Sequence, residues 1–207
     1  MITALRPDTF KNIQTDAGAF LVDFDLDTPQ TVQELKAAVA AALKSNTGVL
    51  GATRGGGSFR AVPTMRSIDV DGKRYEFVGS SNVDFWDIRL TGTLVEIPNE
   101  SFQKVLMAAE HETEGEKTTV TLRTSIDKKD YIPKLCWIGD TSEGYMAIEL
   151  TNALNTVGAN FTFVDRGEGT LPFEFVAHQA SVEEAEYAPF RAVFLRKTET
   201  QANVEEE

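Results

Sequence analysis

The stretch Asp84-Phe85-Trp86-Asp87-Ile88-Arg89-Leu90-Thr91-Gly92-Thr93-Leu94-Val95-Glu96-Ile97 decides the fold class. Side chains of an extended chain alternate between two faces. Trp86, Ile88, Leu90 and Leu94 therefore share one face, and Asp87, Arg89, Thr91 and Thr93 the other. One face suits a core and the other suits water, as in a half-buried strand. Gly92 interrupts the apolar row, which predicts a bulge or a close neighbour at that point.

Toward the N-terminus, Ile68 and Val70 alternate around Asp69, and Tyr75 and Phe77 around Glu76. Asp71-Gly72 between them is the signature of a type I′ hairpin. Before it, Gly48 to Pro63 contains Gly51-Ala-Thr-Arg54-Gly55-Gly56-Gly57-Ser58, and three consecutive glycines predict a long flexible loop over 48–63. Thr28-Pro29 predicts a helix start, with Thr28 as N-cap and Pro29 at the first helical position. Val32, Leu35, Val39, Ala42 and Leu43 follow at helical spacing, and Gly48 lies past the end. A short strand, Ala19 to Phe24, precedes this helix, and residues 1–17 read as polar and irregular.

Toward the C-terminus, Pro98-Asn99-Glu100 opens a second short helix with Phe102, Val105, Leu106 and Ala109 on one side. Glu110 to Lys117 reads as an acidic loop. Strands are predicted at 118–124, 134–138, 145–150, 160–164, 171–178 and 188–195, with turn clusters at Gly139–Gly144 and Asp165–Gly169. Short strands at regular spacing, with no linker between apolar regions, predict one mainly β domain over residues 1–198. The expected architecture is a sandwich or barrel with one flanking amphipathic helix, a second short helix and long loops. Residues 199–207 carry four Glu and no base, which predicts a disordered acidic tail.

The chain has 207 residues and a net charge of −12. That balance argues against an ordinary DNA-binding surface, which clusters Lys and Arg. A single cysteine, Cys136, excludes an intramolecular disulfide scaffold. Met1 to Phe10 lacks the apolar centre of a signal peptide, and the longest aliphatic run, Ala37 to Leu43, is too short for a membrane span. The expectation is a soluble product with no membrane segment.

Signals for chemistry are weak. The glycine-rich stretch lacks the Lys and the following helix of a phosphate-binding loop. His111 among Glu110, Glu112, Glu114 and Glu116 fits a solvated acidic turn better than a metal site, with no second ligand cluster in the chain. His178 reads as a strand-edge polar residue and Cys136 as a small buried hydrophobe. Asp87, Glu96, Glu149 and Glu174 fit the polar faces of strands better than the paired carboxylates of a glycosidase. Phe161, Phe163, Phe173 and Phe175 recur at spacing two, which suits a core face and equally a ligand cavity. No catalytic residue, metal or cofactor is expected.

Two segments carry a resemblance. Leu50-Gly-Ala-Thr-Arg54-Gly-Gly-Gly-Ser-Phe59, continued through Pro63, Arg66, Val70-Asp71-Gly72-Lys73-Arg74 and Trp86 to Leu94, resembles the N-terminal half of the major tail tube proteins of long-tailed bacteriophages. Asn152-Ala-Leu-Asn155 and Gly169-Thr-Leu-Pro172-Phe-Glu174-Phe-Val-Ala-His178-Gln resemble that family's second half. The similarity covers most of residues 13–195.

The resemblance implies a β-sandwich or barrel flanked by a helix, assembled as stacked hexameric rings around a channel through which DNA passes without specific binding. It implies no catalysis. Its implied partners are further copies of the chain and the tape measure, tail terminator and distal tail proteins, and its place is the virion tail after synthesis in the bacterial cytoplasm. On that basis Asp87, Arg89, Thr91, Thr93, Glu149 and Glu174 are lumen candidates, and an acidic wall would repel phosphates. Arg54, Gly55, Gly56, Gly57 and Arg60 are candidates for a loop docking on an adjacent ring, with both arginines meeting acidic groups across the interface. The inner tube of a contractile tail or tailocin stays open as a related reading. A β-barrel or jelly-roll module for a small ligand or carbohydrate stays open as a different class, and a carboxylate enzyme ranks last.

Overall fold

The computed structural model describes residues 9–183 and 187–197. Their order is β1 (Ala19–Val22), α1 (Val32–Ser45), β2 (Thr53–Ser67), β3 (Ser81–Leu94), α2 (Asn99–Leu106), β4 (Ala109–Glu114), β5 (Lys117–Leu122), β6 (Ile132–Thr141), β7 (Gly144–Asn155), β8 (Leu171–Val176) and β9 (Phe190–Arg196). The fold is mainly β with antiparallel pairing and two helices. The tail at 199–207 lies outside the described residues.

The alternating stretch is β3, and its partner β2 begins inside the segment expected to be a loop. Residues 53–63 of that segment are strand. The register shifts between Thr53 and Gly57, so Arg54, Gly55 and Gly56 form a bulge. Gly55 and Gly56 hold φ at 76° and 71°, which side chains disfavour. Gly57 is required by space, since a Cβ there would lie 2.4 Å from the Thr91 carbonyl oxygen. Composition alone reads such glycines as freedom, because the partner strand that needs them is distant in sequence. Gly92, on β3, answers to a close neighbour: its absent Cβ leaves room for the Phe173 ring, 2.5 Å from where it would stand.

Seven strands run in the order β1-β6-β7-β8-β3-β2, with β9 also on β7. β7 is the corner. Its residues 144–150 lie between β6 and β9, whereas Leu154 and Asn155 pair with β8. Asn152, at φ 45°, sits where the neighbours change. The two halves of the sheet face each other: Phe20 of β1 meets Phe173 of β8 edge to face at 5.1 Å. Val22, Leu135 and Leu150 of one half share a core with Ile88, Leu90 and Phe175 of the other. Each such buried side chain contributes about 1.5–3 kcal/mol. Helix α1 covers the outer side of the first half, setting Leu35 against Leu21, Cys136 and Ile138.

Several boundaries differ from expectation. The N-cap of α1 is Thr31, whose hydroxyl accepts from the Glu34 amide while the Glu34 carboxylate accepts from the Thr31 amide, each at 3.2 Å. The Thr28 hydroxyl is committed to Asp25 instead. The expected 68–77 hairpin is only the turn of a larger one: no strands flank Asp71-Gly72, and residues 68–80 join β2 to β3. The acidic segment is a hairpin, β4 with β5, so Glu110, Glu112 and Glu114 alternate along a strand. Residues 160–164 form no strand and contribute one bridge, Thr162 to Thr170. Phe163 is consequently exposed, not core.

Candidate functional site

β8 pairs with β3 over Arg89 to Leu94, and the outer face of this β2-β3-β8 unit is polar. Arg89 donates to Asp87 on its own strand and to Glu174 on β8. Arg60 of β2 reaches Asp87 at 3.1 Å, and Ser58 bonds Thr91 at 2.8 Å. Hydrogen bonds from Arg89 to Asp87 and then Glu174 hold its guanidinium charge above the usual arginine range. Asp87, Arg89, Thr91 and Thr93 thus share one face with Glu174, as strand alternation predicted for the first four.

Two corrections follow from the same geometry. This face is not acidic, because Arg60 and Arg89 balance Asp87 and Glu174. Glu149 does not belong to it: it lies on β7 in the other half of the sheet and is 2% exposed. Arg191 of β9 clamps its carboxylate through Nε at 2.8 Å and Nη2 at 3.1 Å. Alternation reports which side of a strand a residue takes, but not which half of a folded-over sheet owns the strand. Beside Glu149, the Cys136 thiol is pushed up to about 12 by burial and then by that carboxylate. It is an inert core group.

The second surface was missed in the sequence. β8 stops pairing at Arg89, and past Ile88 the β2-β3 hairpin continues as a free two-stranded arm. Exposure jumps from 1% at Ile88 to 43% at Trp86. Met65, Val83 and Phe85 on the arm are exposed, as are Val70, Tyr75, Phe77 and Val78 in its tip. The face that carries Ala61 and Ile88 at the root continues as Pro63 with Trp86 and then Met65 with Val83. A lone two-stranded ribbon is marginal in water, and an exposed apolar patch of this extent marks an interaction site. The available signal was Phe85 beside Trp86, which makes both faces apolar where a half-buried strand needs one.

The tip is nevertheless ordered by polar contacts. Lys73 folds back so that Nζ donates to the Ile68 carbonyl and to Glu76, each at 3.0 Å, and to Ser67. Arg66 meets Asp84 at 3.1 Å along the shaft.

The remaining candidates separate. Arg54 pairs with Glu168 at 2.8 Å, and Arg60 with Asp87, so both arginines find acidic partners within the chain. Gly55, Gly56 and Gly57 line an open groove of about 550 Å³ with Thr91, Val157 and Pro172. His111 is exposed on β4. His178 follows β8 and bonds the carbonyls of Asn152 and Val176 at 3.2 and 3.0 Å, in the role of a strand-end polar group. Glu96 accepts from the Ala52 amide at 3.0 Å. Asn155, fully buried, donates to the Val105 and Gly158 carbonyls and accepts from the Glu174 amide, tying α2 and β8 to the corner of β7. Among the described residues no three His, Cys, Asp or Glu stand together as metal ligands.

No protein-family model matches the chain, and no curated protein matches it. Among the described residues no helix is long and apolar enough to cross a membrane.

Proposed function

We propose that the chain is a self-assembling structural subunit, a major tail tube protein of a long-tailed bacteriophage. The free apolar arm carries this reading: it is a surface of aromatic and aliphatic side chains, ordered by the Lys73 clasp, with no cover among the described residues. An exposed apolar patch marks an interaction site, and on this reading its partner is a further copy of the chain.

On this reading six copies close a ring and rings stack into the channel through which the genome leaves the virion. β2 ends the strand order of its sheet, so its outer edge is free to pair with a neighbouring copy and continue the sheet around a ring. The polar face of β2, β3 and β8 then lines the channel. Its arginines are already bound to Asp87 and Glu174, so phosphates meet no unpaired positive charge and DNA moves past without sticking. The tape measure, tail terminator and distal tail proteins are the further partners, and no catalytic step is assigned.

Negative-stain microscopy of the concentrated chain tests the reading. Rings or tubes with a central channel are expected. A species that stays monomeric across protein and salt concentrations overturns it.

A further inference from the structure

Residues 13–18 cross the end of β6 as a strap. β1 pairs with β6 only from Leu135 to Ile138, and the strap carries the pairing further along the same strand. The Thr15 amide donates to the Asp140 carbonyl at 3.1 Å, the Ser142 amide donates to the Ile13 carbonyl at 2.9 Å, and Gln14 bridges Thr141. Residues 13–17 are exposed, so polar contacts and not burial hold the strap, which places it at the low-stability end of the fold. The Trp137 indole pins it, with Nε1–H donating to the Ala17 carbonyl at 3.0 Å. Gly18, at φ 68°, permits this approach, since a Cβ there would stand 2.6 Å from the indole nitrogen. Across a groove from residues 14–17 lie Gly55, Gly56 and Gly57 of the β2 bulge.

A pair of carboxylates sits inside these contacts. Asp16 Oδ1 accepts from the Gly18 amide at 2.9 Å and from the Asp140 amide at 3.4 Å. Its carboxylate thereby comes within hydrogen-bonding reach of the Asp140 carboxylate, beside a groove of about 500 Å³ between the strap and α1. Facing Asp140 are Asp16 from the strap, the Tyr145 phenol from β7 and Lys36 from α1. Burial and then the Asp16 charge raise the Asp140 carboxyl above its ordinary value of 3.8, and the phenol's hydrogen bond and the lysine oppose this without reversing it. We propose that Asp16 and Asp140 form a pH-sensitive latch: a proton shared between them closes the strap on β6, and its loss sets two like charges against each other and loosens it. A carboxyl raised on docking adds stability that is full below the ordinary Asp range and is lost as pH rises through the raised value. The latch is therefore tightest in acid and weakest near neutrality, the reverse of an Asp held by a salt bridge. Opening releases the Trp137 indole and uncovers the edge of β6 from Gly139 to Thr141. The device does not depend on the self-assembly reading.

Hydrogen-exchange protection factors, measured by NMR on the full chain from about pH 4 to about pH 8, test the latch. In the native chain, protection of the Thr15 and Ser142 amides and of the Trp137 indole N–H should fall several-fold as pH rises. The Leu50 amide, which donates to the Phe20 carbonyl at 3.0 Å in the core, should hold steady and so separate strap opening from global unfolding. Asp140→Asn and Asp16→Asn each remove one of the two charges, and Asp16→Asn keeps an oxygen for the Gly18 and Asp140 amides. Both variants should stay as protected at neutral pH as the native chain is in acid. If Asp140→Asn fails to fold, Asp16→Asn carries that comparison alone. Native protection at Thr15 and Ser142 that is unchanged by pH, or that rises with it, overturns the latch. A pH dependence in the folded variants equal to the native one overturns it as well.

Discussion

The root and the arm of the β2-β3 hairpin are the same two strands in the same antiparallel pairing, yet they have opposite fates. At the root, Ala61 and Phe59 stand across from Ile88 and Leu90, and the facing half of the sheet closes over them. Beyond Trp86 the pairing continues, but β8 has stopped and no layer among the described residues covers the apolar face. Cross-strand hydrogen bonds thus extend a strand pair without deciding what it buries. A third strand and an opposing layer decide that, and among the described residues the arm has neither.

The contrast breaks most visibly under truncation. Leu90→Ala at the root should cost about 2–5 kcal/mol, because it opens a cavity in a filled core. Val83→Ala on the arm should change stability by no more than about 0.5 kcal/mol. Urea unfolding of the two variants measures the gap, and equal costs would mean that the arm is packed in solution.

Glycines give a smaller version of the same test. Gly92→Ala at the root puts a methyl group against the buried Phe173 ring, an overpacking expected to cost about 1–3 kcal/mol. Gly72→Ala in the arm tip meets no atom within 4 Å and is strained only by its φ of 86°, for about 1 kcal/mol. Thermal melts should rank the two in that order.

The root's polar face is tested by function more than by stability. Asp87→Asn with Glu174→Gln releases Arg89 and Arg60 from their partners. The double variant should acquire weak affinity for duplex DNA oligonucleotides, with a log–log salt slope approaching about −1.8 for two freed arginines, and the native chain should show none. Native binding of equal strength would mean that the ion pairs do not mask the arginines.

The smallest effect belongs to the arm tip. Hydrogen bonds from Lys73, then Ser80 and Ser67, hold the Glu76 carboxyl below its ordinary value of 4.5. A carboxylate with a depressed value contributes fully above the ordinary Glu range, and that contribution is lost as pH falls through the lowered value. An NMR titration should therefore place Glu76 below 4.5, with the Ser80 amide losing hydrogen-exchange protection over the same acid window. A Glu76 that titrates at its ordinary value would show that the clasp does not form in solution.

Period-two alternation made the fold class legible, because Ile88, Leu90 and Leu94 report burial on one face wherever the strand sits. The polar face was legible for the same reason. Alternation could not place Glu149, since the turn of β7 at Asn152 hands the strand from one half of the sheet to the other. The β2 strand was hidden because Gly55, Gly56 and Gly57 serve a bulge and a close approach to Thr91 that only the paired structure displays. The arm was hidden because an apolar residue normally signals a core. Phe85 beside Trp86 marks both faces as apolar, but that signal alone does not tell an uncovered arm from a strand buried on both sides.

The central claim is that the arm's exposed side chains are kept for assembly and not for folding. It is tested most directly by comparing the native chain with Phe77→Ser/Phe85→Ser in paired melting and sedimentation experiments. The expected result is an unchanged melting curve with loss of rings and tubes. A variant that assembles like the native chain, or one that fails to fold, would contradict it.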